Sequence, residues 1–117
     1  MTRLFEKWAK KFKLSEKNLL SVLNEVENKI FEADLGGHII KKRIAFKGQG
    51  KSGSGRTIIC FKKEKLAIFI HGFSKSESSD ISDKELKAFK SLAKILISLS
   101  EEEINIAIQN GNFKELK

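Results

Sequence analysis

The sequence predicts an α+β fold, in which an N-terminal helical hairpin and C-terminal helices pack on a twisted antiparallel sheet. Three observations predict it: apolar residues at helical spacing before residue 32, β-rich runs between residues 38 and 73, and two helix-capping patterns after residue 80. With 117 residues and 40% hydrophobic composition, the chain is long enough to bury its own core. We therefore expect residues 1–117 to form a single domain.

The helical hairpin is predicted from apolar residues that return every three or four positions. Residues 4–12 predict a short first helix, and Ser15 is a suitable N-cap for a second helix that runs to about Phe31. The turn-forming residues 34–37 (DLGG) follow and end the helical part.

The sheet is predicted from runs rich in β-branched and aromatic residues, at residues 38–46, 56–61 and 66–73. The tight charged turn between the last two runs favours antiparallel pairing, and a glycine-rich loop covers residues 47–55. By strand alternation, His71 would share a face with Phe69 and Phe73.

Two capping boxes predict the C-terminal helices, SDKE at residues 82–85 and SEEE at residues 100–103. The helices would end near Ser98 and Gln109, and residues 113–116 are predicted to form a last edge strand.

Positive charge is concentrated in one stretch of the chain. Residues 38–63 contain eight Lys and Arg residues and no Asp or Glu, whereas the rest of the chain balances 15 basic residues against 15 acidic ones. The stretch therefore carries the whole net charge of +8. Because a local positive field attracts polyanions, it predicts an anion-binding surface, with RNA as the first candidate.

Several kinds of site and location are disfavoured. The single cysteine, Cys60, lies in an apolar run and is predicted to be a buried structural thiol, as expected in a reducing cytoplasm. No signal peptide is predicted from the first residues, and no apolar run approaches the length of a membrane span. His38 and His71 lack the spacing of a metal site, so no metal is predicted.

The glycine-rich loop contains two patterns that suggest a nucleotide. Residues 48–53 match G-x-G-x-x-G, and Gly50, Lys51 and Ser52 resemble the end of a phosphate-binding P-loop. Both motifs require a helix directly after the loop, whereas a β-rich run follows here, and Ala45 stands where the P-loop needs glycine. No nucleotide cofactor is therefore predicted, although the loop's backbone amides, Lys51 and Ser52 can still donate to a phosphate.

The order of these pieces resembles a known family. Residues 34–37 (DLGG), 40–45 (IKKRIA), 48–53 (GQGKSG) and 56–59 (RTII), followed by 72–75 (GFSK) and 81–86 (ISDKEL), are similar to RelE/ParE-superfamily toxins of type II toxin–antitoxin systems. The similarity is greatest to the HigB-like branch. It implies a RelE-like fold over the whole chain and a bacterial toxin that cleaves mRNA, typically on the ribosome. It also implies a neutralising antitoxin as partner, often with a helix-turn-helix domain.

The resemblance also implies where the chemistry would occur. Arg56 and Lys75 would face the reacting phosphate, where cations stabilise developing negative charge. The general base is left open, with His71 and Glu77 as candidates by their chemistry alone. The predicted RNA-binding residues are Lys41, Lys42, Arg43, Lys47, Lys51 and Ser52. Because side chains alternate along a strand, Lys41 and Arg43 would point one way and Lys42 the other.

The sequence departs from the family pattern at several positions. Gly55 stands where relatives usually have an aromatic residue, and Phe46 replaces a commonly basic one. Ser78 lies where relatives commonly have arginine, and the sequence begins late, so the first strand would be absent or very short. Two alternatives to an active ribonuclease therefore stay open: a degenerate toxin that only binds antitoxin or RNA, and a ParE-type gyrase inhibitor.

Overall fold

A computed structural model describes residues 1–46, 54–74 and 80–116, and within them it shows four helices and four strands. The helices are α1 (Arg3–Lys11), α2 (Glu16–Glu27), α3 (Asp83–Ser98) and α4 (Glu101–Gln109). The strands are β1 (Ala33–Gly36), β2 (Ile39–Ala45), β3 (Ser54–Lys62) and β4 (Leu66–Ser74). All neighbours pair antiparallel in the order β1-β2-β3-β4, which confirms the α+β prediction.

The second helix ends earlier than its apolar pattern predicts. α2 stops at Glu27, because Asn28 caps it and Lys29 adopts a left-handed conformation with φ 62°. Residues 34–36, predicted as part of a turn, instead belong to β1, in which Ala33 pairs with Lys41. The prediction of a helix to about Phe31 was therefore wrong, and the turn predicted at residues 34–37 includes only Gly37 of these residues.

Each face of the sheet supports its own core. On one face α1 and α2 pack on side chains from β2, β3 and β4, and on the other face α3 does so. The first core contains Phe5, Ala9, Leu19, Val22, Val26, Ile40, Ile44, Phe46, Ile59 and Phe69. The second contains Ile39, Ile58, Cys60, Ile68, Ile70, Phe73, Ala93 and Leu96. The alternation of β2 and β3 thus decides which residues face which helices.

An irregularity in β4 changes the alternation at its centre. Ile58 pairs with His71 but Ile59 pairs with Phe69, so Ile70 is an extra residue in the strand. As a result, Phe69 stacks on Phe5 of α1 at a ring-centroid distance of 4.6 Å, whereas the His71 ring lies beside Phe89 of α3. The prediction that His71 shares a face with Phe69 was therefore wrong.

The two ends of the chain meet beside the outer edge of β4. The Thr2 amide donates to the Phe69 carbonyl at 3.0 Å, and Thr2 forms an isolated bridge with Phe113. The predicted edge strand at residues 113–116 is absent, because this bridge is the segment's one β-pairing within the described residues. In the described part of the chain, no helix has the length and apolar character needed to cross a bilayer.

Glycine at two positions of the sheet makes room for the indole of Trp8. A Cβ atom at Gly72 would lie 2.6 Å from Trp8 Cδ2, and one at Gly55 would lie 3.1 Å from Trp8 Cη2. Both distances are too short for ordinary packing, so α1 can approach the sheet this closely only over glycine.

We expect Gly72→Ala to lower the free energy of unfolding by about 1–3 kcal/mol, because the added methyl group overpacks the contact with Trp8. Urea denaturation would measure it. The cost should shrink when Trp8→Leu is introduced in the same chain, since the clash partner is then smaller. An equal cost in both backgrounds would contradict this account of the contact.

Candidate nucleic-acid interface

Arg56 lies on the inner strand β3 and faces α3. Its direct neighbours across the sheet are Arg43 on β2 and Phe73 on β4. The Arg56 side chain is only 15% exposed, and its Nε lies 3.0 Å from Glu32 Oε2. Its Nη1 also donates to the Gly55 carbonyl at 3.3 Å. Arg56 is therefore a half-buried cation that two polar contacts fix in position, and the exposed Arg43 lies next to it.

Lys41 belongs to the same cationic surface as Arg43 and Arg56. It pairs with Ile58, whose other neighbour is His71, so Lys41 lies diagonally from Arg56 on one face of the sheet. Its Nζ donates to Asp80 Oδ2 at 3.2 Å. The pKa of Asp80 is lowered, first by the Ile81 amide and then by Lys41 and the charge of Arg56. Asp80 is therefore a carboxylate at neutral pH and belongs to this surface.

Lys42 faces the opposite side of the sheet, as strand alternation requires. Its Nζ lies 3.6 Å from Glu25 of α2, its side chain is 10% exposed, and its carbonyl accepts a 2.7 Å hydrogen bond from Thr57. The structure thus separates Lys42 from Lys41 and Arg43.

His71 lies on the α3 face beside the beginning of that helix. Its ring centroid is 5.1 Å from that of Phe89, and its Nε2 is 4.0 Å from Glu85 Oε2. Glu85 also accepts from the amide of Ser82, which caps α3, so the pKa of its carboxyl is lowered. The imidazole is therefore partly exposed and has a carboxylate nearby, an arrangement that a general base can use.

The five other predicted site residues lie outside the described residues: Lys47, Lys51, Ser52, Lys75 and Glu77. Their roles stay predictions.

The described part of the acid-free stretch does not form one surface. Arg43 and Arg56 lie near one end of β2 and β3 with Lys41 closer to the middle, whereas His38 and Lys63 lie at the other end. There they line an open cavity of about 580 Å³ together with Lys29, Phe31 and Phe61. Charge that is continuous in the sequence is therefore divided in space.

Sequence reasoning missed both carboxylates that contact the cations. Glu32 precedes β1 and Asp80 precedes α3, so neither belongs to residues 38–63. Counting charges along the sequence does not indicate either ion pair, because the acid and the cation come together only when the sheet forms. A sequence search would have needed the pairing of β1 with β2 to place Glu32 near Lys41 and Arg56.

Position 55 belongs to the opposite face from Arg56. A side chain there would meet the ring of Phe46 at 2.6 Å and that of Trp8 at 3.1 Å. In this chain, aromatic rings from α1 and from the end of β2 fill the space beside position 55. The absence of an aromatic residue at Gly55 therefore removes nothing from the surface of Arg56.

Two further predictions concern Cys60 and metals. Cys60 is fully buried, as predicted, and burial raises the pKa of its thiol to about 11, which makes it unreactive. Across residues 1–46, 54–74 and 80–116, no group of three or more His, Cys, Asp or Glu side chains could hold a metal ion.

The fold and this surface define a small basic α+β protein whose cations are set on the inner strands of an antiparallel sheet. A family model described as the RelE toxin of the RelE / RelB toxin-antitoxin system matches residues 1–116. The chain belongs to this RelE toxin family, and it is accordingly a toxin of a toxin–antitoxin system with an antitoxin as its partner. Neither a curated protein nor a solved structure matches the chain.

The Asp80 carboxyl should titrate below the ordinary aspartate pKa of 3.8, which ¹³C NMR of that carboxyl would measure. Lys41→Met should raise this pKa only in part, because the hydrogen bond from the Ile81 amide remains. With a lowered pKa, the stabilisation is present above the ordinary value and is lost as pH falls through the lowered one. A pKa unchanged by Lys41→Met would show that the ion pair does not form in solution.

Proposed function

We propose that this toxin is an endoribonuclease that cleaves mRNA, acting on the ribosome in the bacterial cytoplasm and so inhibiting translation. The observation that carries the proposal is the half-buried Arg56, held on an inner strand with Arg43 beside it and Lys41 on the diagonal. A fixed guanidinium among other cations is suited to a phosphodiester, since it can donate two hydrogen bonds to one phosphate. Membership of the RelE toxin family supports the same reading.

The proposed reaction needs no cofactor. The 2′-hydroxyl of one nucleotide attacks the adjacent phosphorus, a base takes its proton, and the bond to the 5′-oxygen of the next nucleotide breaks as an acid protonates it. The products are a 2′,3′-cyclic phosphate and a free 5′-hydroxyl. Negative charge builds up on the non-bridging phosphate oxygens, and Arg56 is proposed to stabilise it.

His71 is the described candidate for proton transfer. It is partly exposed on the same face as Arg56, and Glu85 lies near its Nε2. Lys75 is proposed as a second phosphate-facing cation and Glu77 as the alternative base, both on the resemblance alone. We also propose that the toxin belongs to the HigB-like branch and that its antitoxin is of the helix-turn-helix type.

A second candidate is binding of RNA or antitoxin without cleavage. In this sequence Ser78 stands where relatives commonly have arginine, which favours binding without cleavage because a cation near the reaction is lost.

The proposal predicts growth arrest and new mRNA ends bearing 5′-hydroxyls when the protein is induced alone in bacteria. Arg56→Gln should reduce cleavage on the order of 10²-fold or more, because it removes a cation from the reacting phosphate. Mapping RNA ends by ligation of 5′-hydroxyl termini would measure it.

Arg3→Gln is the matched control, since Arg3 is an exposed arginine of α1, which packs on the opposite face of the sheet from Arg56. It should cleave like the unaltered protein, and thermal unfolding should show that both variants fold. Intact mRNA with no growth arrest would favour the binding alternative. Intact mRNA with altered DNA supercoiling would instead indicate gyrase inhibition.

A further inference from the structure

Glu32 and Asp80 form ion pairs with Arg56 and Lys41, which are cations of the proposed phosphate-binding surface. Glu32 Oε2 lies 3.0 Å from Arg56 Nε, and Asp80 Oδ2 lies 3.2 Å from Lys41 Nζ. The two acids reach the site from different segments, one before β1 and the other before α3. Both cations are therefore neutralised in the free protein by groups that have the charge and the oxygen acceptors of a phosphate.

In both pairs the cation is more buried than the acid. The side chains of Arg56 and Lys41 are 15% and 20% exposed, whereas those of Glu32 and Asp80 are 35% and 53% exposed. The cations are anchored on inner strands of the sheet, and the acids lie in connections between elements. An anion that arrives from solvent would therefore meet the two carboxylates before it meets the cations.

We propose that Glu32 and Asp80 are built-in placeholders for RNA phosphates, which the RNA backbone displaces when it binds. The inference rests on the proposed function and deepens it, because it identifies what regulates access to the same site. Binding is then an exchange of carboxylate for phosphate at each cation. The displaced Asp80 keeps the hydrogen bond that its Oδ1 accepts from the Ile81 amide at 2.8 Å.

The exchange favours polyanions over single anions. Diagonal neighbours on adjacent strands are about 7–8 Å apart, so one small anion cannot replace both carboxylates. A strand with successive phosphates can replace both, and the second replacement is then intramolecular. In the absence of RNA, the two ion pairs also compensate the half-buried positive charges of Arg56 and Lys41.

The test measures binding of a fluorescent 2′-O-methyl RNA oligonucleotide, which cannot be cleaved by 2′-hydroxyl attack, at several salt concentrations. Glu32→Gln and Asp80→Asn should each tighten binding about three- to tenfold at low salt, because RNA no longer has to displace a charged group. Each should also steepen the dependence of log affinity on log salt concentration by up to about one unit.

Two matched variants separate this effect from a simple gain of net charge. Glu102→Gln changes the net charge equally on the exposed first turn of α4, and Glu25→Gln removes the partner of Lys42 on the opposite face. Neither should tighten binding by more than about twofold. Tightening by these controls equal to that of Glu32→Gln would overturn the inference.

Arg56→Gln distinguishes failure of this inference from failure of the proposed function. If Arg56→Gln weakens RNA binding while Glu32→Gln and Asp80→Asn leave it unchanged or weaken it, the carboxylates are not placeholders and the proposed RNA surface stands. If Arg56→Gln leaves RNA binding unchanged, the surface itself is wrong and both proposals fall.

Discussion

The pairing of β3 with strands on both of its sides is the constraint on which the rest of the structure depends. Strand β3 is hydrogen-bonded to β2 along one edge and to β4 along the other, and its side chains alternate between two cores. Arg56 therefore shares a strand with Ile58 and Cys60, which are fully buried under α3. A cation so close to the core is fixed in position by packing, which costs little extra entropy when it meets an anion.

The local elements follow from the sequence where their cause is local. Ser15, Ser82 and Ser100 accept from backbone amides at the starts of α2, α3 and α4, and the capping residues alone locate those starts. The end of α2 and the existence of β1 have no such signal, because Ile30 and Phe31 continue the apolar period beyond the helix. What ends the helix is the backbone conformation of Lys29, which apolar spacing does not report.

The candidate site was predictable in part for a related reason. Strand alternation alone separates Lys42 from Lys41 and Arg43, and the family resemblance alone selects Arg56. The face on which His71 lies depends on the extra residue Ile70, and a sequence pattern of period two contains no sign of that insertion. Contacts between segments far apart in the chain, such as those made by Glu32 and Asp80, arise only when the sheet assembles.

The fit of Trp8 over Gly55 and Gly72 also has an evolutionary consequence. An aromatic ring can occupy this space from α1 or from β3, but not from both, since the two would overlap. A substitution that enlarges residue 55 is therefore tolerated only after position 8 has become smaller, and the reverse order passes through a poorly packed intermediate. Lineages that differ at one of these positions should differ at the other, so the fold makes the accessible mutational path depend on its order.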